Sequence, residues 1–188
     1  MHRPAARRLL AALTTVTVLV ATTACGSPDE SPAPTGPVTY DVPGAPVSIT
    51  APAGWERSTQ DGAFVVRSPE AQGAPAVRPN VVVTAEATPE TLEEAGADTE
   101  AYVEDLAGWA HDTDAQGVTT LGEAPAYRVS GRFEASGVSV AQEILLVGSA
   151  AADGPWVVHL TASYAPDDVE GAAQAREALA SVRVAPAG

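Results

Sequence analysis

The chain contains no lysine, one cysteine (Cys25), one methionine and two phenylalanines among its 188 residues. Each scarcity excludes something. One cysteine cannot form an internal disulfide in any redox compartment. A phosphate-binding loop of the Gly-x-x-x-x-Gly-Lys kind needs a lysine, and a Cys/His zinc set needs more of both residues than the chain carries. Gly-x-Ser-x-Gly is absent, and with it a hydrolase elbow of that type. The missing lysines alongside abundant alanine read as coding bias in a GC-rich genome. Cations are also few: ten arginines face 24 acidic residues. Arg3, Arg7 and Arg8 precede the cut expected below, so seven arginines against the same 24 acids leave the remaining chain at −17. Such a surface repels phosphate backbones and anionic head groups, so nucleic acid is not an expected partner.

Apolar runs are short, with one exception near the start. Met1–Arg8 is basic, Leu9–Ala21 is uncharged and mostly apolar, and Thr22-Thr23-Ala24 is made of small residues. That order is the secretory-signal pattern, and the run is short of the roughly 20 residues of a spanning helix. Cys25 follows directly. Val20–Ser27 resembles a bacterial lipobox, in which the cysteine is diacylated and becomes the new N-terminus, although Thr22 stands where an aliphatic residue is usual. An ordinary signal peptide with a chance cysteine nearby is the plain alternative. The position of the sole cysteine favours lipidation, and two or more acyl chains hold a protein firmly on a bilayer. Residues 1–24 are thus expected to be a signal peptide. Residues 25–37, with Pro28, Pro32, Pro34 and Pro37, form a lipidated cysteine and tether. Residues 38–188 are read as one domain.

Within 38–188, Val47–Thr50, Phe64–Arg67 and Val81–Ala85 read as strands. Thr88-Pro89-Glu90 signals a helix start, Gly96 interrupts, and Asp98 caps afresh ahead of Tyr102, Val103, Leu106 and Ala110 at helical spacing. Period-two patterning then gives a meander. Its strands carry Tyr127/Val129/Phe133, Val138/Val140/Ile144/Leu146 and Trp156/Val158/Leu160/Ala162/Tyr164, with turns at Ser136-Gly137 and Asp153-Gly154. Asp167 with Glu170 opens a last helix, which ends near Ala180 before an extended Val182–Val184. The expected class is α+β, an antiparallel sheet with packed helices.

The strand ending in Ala51-Pro52-Ala53-Gly54-Trp55, the strand Asn80–Val83, the strand Val157–Tyr164 and the closing Ala180–Arg183 together resemble the LpqN-type actinobacterial lipoproteins. These fall within the PsbP/Mog superfamily. The resemblance covers about Val38 to Val184. It implies an α/β/α sandwich and a non-enzymatic envelope protein that binds or assists a partner, and it supplies no catalytic residue.

The residues offer little chemistry of their own. His111 and His159 are the histidines left after the cut, and His159 alternates with Val158 and Leu160 on the second face of a strand. Asp112, Asp114, Gln116 and Glu123 stand at calcium-loop positions 1, 3, 5 and 12, with Gly117 at 6. Gln is an unusual fifth ligand, and Ala124-Pro125 blocks an exiting helix, so an acidic turn is the preferred reading. Asp167 and Asp168 read as helix caps. Trp55 and Trp156 read as core, and Trp109 stays open between core and groove. No catalytic residue, metal or cofactor is expected. The expected function is a membrane-anchored binding module for an unidentified protein or lipid-like envelope component. The alternative is a carrier with an apolar pocket between helix and sheet.

Overall fold

The computed structural model describes residues 35–70, 77–114, 116–151 and 154–185. In chain order these form β1 (Val38–Asp41), β2 (Val47–Ala51), β3 (Glu56–Gln60), β4 (Ala63–Arg67), β5 (Asn80–Ala87) and α1 (Leu92–Glu104). There follow β6 (Ala110–His111), β7 (Gly117–Leu121), β8 (Ala124–Ala135), β9 (Val138–Ala151), β10 (Gly154–Tyr164), α2 (Val169–Ala180) and β11 (Arg183–Val184). Most strands join one antiparallel sheet of order β3-β4-β5-β10-β9-β8-β6, with β7 also paired to β8. A small second sheet has the order β1-β2-β11.

The large sheet is covered on both sides. Register aligns Phe64, Val83, Leu160 and Leu145 in one row across four strands. That row belongs to a core closed by Ala172, Ala175, Ala178 and Leu179 of α2, with Val47, Ile49 and Ala51 of β2 and the buried Trp55. The small side chains let α2 lie close to the strands. The next residues face the opposite way, as the strand period requires. Leu146 and Val157 pack with Ala95 of α1, and Val129 and Ile144 with Val103. The class is α+β, with a helix on each face of the antiparallel sheet. The meander β8-β9-β10 falls where period two placed it. Ser136 and Gly137 both have positive φ (52° and 79°), as a tight hairpin turn demands.

Helix starts differ from the sequence reading. α1 begins after Thr91, whose Oγ1 accepts from the Glu94 N–H at 3.2 Å while the Thr91 N–H donates to Glu94 Oε2 at 2.9 Å. This reciprocal capping box outcompetes the Pro89 signal, and the Thr91 N–H, joined by the Thr91 hydroxyl at 3.0 Å from the same Oε2, holds the Glu94 carboxyl below the usual carboxylate range. Gly96 does not interrupt α1, and Asp98 lies within it rather than capping it. Gly96 is buried against Tyr127, where an added Cβ would meet ring carbons at 2.7 Å. α1 stops at Glu104, so Leu106 sits in the following turn and Ala110 in β6. The cap of α2 is Asp168, whose Oδ1 accepts from the Gly171 N–H at 2.9 Å, and not Asp167.

Gly96→Ala should therefore destabilise the fold. The helix-propensity gain is about 1 kcal/mol, whereas forcing a methyl into a packed contact costs about 1–3 kcal/mol. The clashing atoms lie near the root of the Tyr127 ring, where rotation relieves least. Urea melts of parent and variant measure the difference. A more stable variant would show that α1 has room to shift.

Candidate functional site

The residues singled out by sequence do not converge. Cys25, the expected cut before it and most of the tether lie outside the described residues. His111, on β6, stands 3.8 Å from Glu104 Oε1 and makes an edge contact with Trp109 at 5.8 Å between centroids. His159 is half-buried on β10, in register with Leu146 and Thr84. Its burial pushes the imidazole below its ordinary range.

The acidic stretch after His111 is organised by an amide. Gln116 Nε2 donates to the carbonyls of Asp112 (2.7 Å) and Ser130 (2.6 Å), while its Oε1 accepts from the Ser130 N–H at 3.2 Å. The carboxamide bridges the gap between β6 and β7 along β8, so the oxygen needed at calcium position 5 is engaged with backbone. Among the described residues no three His, Cys, Asp or Glu side chains gather as a metal site.

The tryptophans separate. Trp55 is in the core, with its Nε1–H donating to Gln174 Oε1 at 3.1 Å. Trp156 is only half-buried and borders a shallow hollow with Gly44, Ala45 and Pro46, so the core reading fails for it. Its place near the start of β10 sets it at the end of the strand rather than under a helix. Trp109 stacks near Phe133 at 6.1 Å and lies on Gly131, where a Cβ would come within 2.6 Å of its ring.

One cleft, of about 170 Å³, lies between α2 and the β8-β9 part of the sheet. Its polar lining includes Asp112, Arg132, Gln142, Glu143, Tyr164 and Arg176. Glu143 Oε1 accepts from the Tyr164 hydroxyl and from Arg176 Nε, both at 2.5 Å, and Arg176 Nη2 donates to the Tyr164 oxygen at 2.6 Å. The guanidinium also lies 5.1 Å over the Tyr164 ring. Burial first, then the Glu143 carboxylate, pushes the Tyr164 phenol far above its ordinary range. A phenol so held is neither base nor nucleophile at neutral pH. Bonding to Glu143 holds Arg176 firmly protonated. The arrangement is a polar clasp between helix and sheet. Sequence reading missed it because its members sit on three elements and meet only in the folded chain.

The fold is shared with solved proteins. LpqN of Mycobacterium tuberculosis, involved in cell envelope biogenesis, matches with a TM-score of 0.60 and 15% identity, over 84% of this chain and 88% of that one. Cyanobacterial PsbP (CyanoP) of Synechocystis sp. PCC 6803 matches with a TM-score of 0.59 and 14% identity, over 86% and 98%. A Bacteroides thetaiotaomicron protein matches with a TM-score of 0.53 and 17% identity, over 80% and 48%. The expected LpqN- and PsbP-like fold is thus the fold observed, and at these identities the likeness is one of fold. No family profile and no curated protein sequence matches the chain.

The clasp has a titration signature. Glu143→Gln should move the Tyr164 phenol back toward the ordinary value of about 10, read as phenolate absorbance and assigned with Tyr164→Phe. In the parent, the unfolded chain loses this proton first as pH rises above about 10. Stability should therefore fall there, and Tyr164→Phe should flatten that fall. An unchanged titration in Glu143→Gln would contradict the coupling.

Proposed function

We propose that this is an exported, non-enzymatic accessory protein of the cell envelope, lipid-anchored at Cys25 on the extracytoplasmic face, whose body binds a protein or lipid-like envelope component. The observation that carries the reading is the coincidence at Cys25. The sole cysteine closes a signal-like segment and opens a proline-rich tether that leads into a body with the LpqN fold. The involvement of LpqN in cell envelope biogenesis supports the same setting here. The acidic body favours basic or neutral partners.

A carrier of apolar ligands is less well supported. The α1–sheet interface is closed by the Gly96–Tyr127 contact, and the cleft beside α2 is polar. At about 170 Å³ it falls below the roughly 300–1,000 Å³ of small-molecule sites, and the larger hollow at Trp156, about 370 Å³, is shallow and open rather than enclosing.

Cys25→Ala tests the anchor. In the native host, the parent should partition into detergent and carry acyl mass. The variant should lose both, appearing unprocessed or released. A variant that partitions and carries acyl mass like the parent would sink the anchoring half of the reading.

A further inference from the structure

The two outer edges of the large sheet are treated differently. At one edge, β3 is Glu56-Arg57-Ser58-Thr59-Gln60. Its Glu56 is held by Arg78 at 3.1 Å and Arg67 at 3.6 Å, and its Arg57 lies 5.2 Å over the Tyr40 ring. Charged residues of this kind keep a strand edge from pairing with other chains. The other edge is shared by the two-residue β6 and the longer β7, and β7 is Gly117-Val118-Thr119-Thr120-Leu121, with no charge and no proline. Among the described residues β7 pairs with β8 alone, so alternate residues turn their N–H and C=O groups away from the sheet. Val118 is 71% exposed, one of two large hydrophobic residues so placed among the described residues. The Gln116 amide pins the start of β7 to β8, and the Gly122-Glu123 turn pins its end. The edge is preformed.

Acidic side chains stand at both ends of this edge. Asp112 and Asp114 precede β7, Glu123 follows it, and all three are exposed, while Glu104 lies beside His111 on β6. The β8 arginines in register with this edge, Arg128 opposite Gly117 and Arg132 opposite Ala110, lie on the α2 face of the sheet. We propose that β7 is a docking edge that takes up an extended, basic segment of a partner protein as an added strand. Main-chain hydrogen bonds would give the pairing and Val118 an apolar contact, while the flanking carboxylates select lysine or arginine at the segment's ends. A second copy of the chain is a poorer occupant, because an antiparallel β7–β7 pair would bring the same carboxylates against each other. The inference rests on the binding-module reading above and gives it a surface and a partner class.

The test uses the full chain in detergent micelles, so it does not depend on the anchor. The probe is a labelled octapeptide, Lys-Val-Thr-Val-Lys-Val-Thr-Lys, and its control carries Glu in place of Lys. The basic peptide should slow hydrogen exchange in residues 117–121, and its affinity should fall as salt rises. Val118→Lys, at a site too exposed to disturb folding, should weaken binding at least tenfold with an unchanged melt. Asp114→Asn should weaken it by a smaller factor. The proposal is overturned by equal binding of the acidic peptide, binding indifferent to Val118→Lys, no protection at millimolar peptide, or protection of 117–121 by self-association without peptide. Protection confined to the cleft beside Arg176 would also overturn it, yet leave the binding-module reading standing.

Discussion

Burial of both faces of the central strands is the constraint on which the rest depends. Ile144, Leu145, Leu146 and Val147 are consecutive and all buried, and Val157 and Val158 repeat the pattern on the neighbouring strand. An antiparallel sheet with one wet face would alternate apolar and polar residues, but these strands cannot. Each face therefore needs its own cover. The chain supplies one helix from before the meander and one from after it, each meeting the sheet through small residues. Helix position, the close Gly96–Tyr127 contact and the alanines of α2 all follow from that requirement.

How legible this was depended on where the information lay. The meander strands carry their own period, and Ser136-Gly137 carries its own turn, so both could be read locally. So could the core place of Trp55. Gly96 could not: a glycine in a helical segment reads as a break until Tyr127, 31 positions away, is known to occupy the space of its missing side chain. β3 and β7 escaped because an exposed edge strand lacks apolar alternation. The α1 start was misread because two capping signals overlap, and the one with reciprocal hydrogen bonds won. Trp156 was misassigned because its strand period says which face a side chain takes but not whether anything covers it there.

The polar features share a logic. Gln116 replaces strand pairing with a side-chain amide where the backbone leaves β8 uncovered, and Glu143 joins Tyr164 and Arg176 where α2 rises from the sheet. Both satisfy polar groups at places where regular structure ends. Neither sets up reactive chemistry: the phenol keeps its proton and the guanidinium is held by its carboxylate. The acidic surface and the uncharged edge are the features that the proposed binding role would draw on.

The topology also orders the assembly of the molecule in time. β8, β9 and β10 are joined by short turns and pair with their immediate neighbours in sequence, so their contacts are local and close quickly. The small sheet is the opposite case. β2 lies near the start of the described chain and completes its pairing only with β11, at the far end, where Arg183 meets Ser48 and Val184 meets Val47. Ser181 fastens the same junction, its Oγ accepting from the Thr50 N–H at 2.8 Å. Pulse-labelled exchange during refolding should find the meander protected before the β2–β11 junction. The β1–β2 hairpin is local and can form early, but the small sheet closes only when β11 reaches it, so its completion waits on contacts that span nearly the whole described chain.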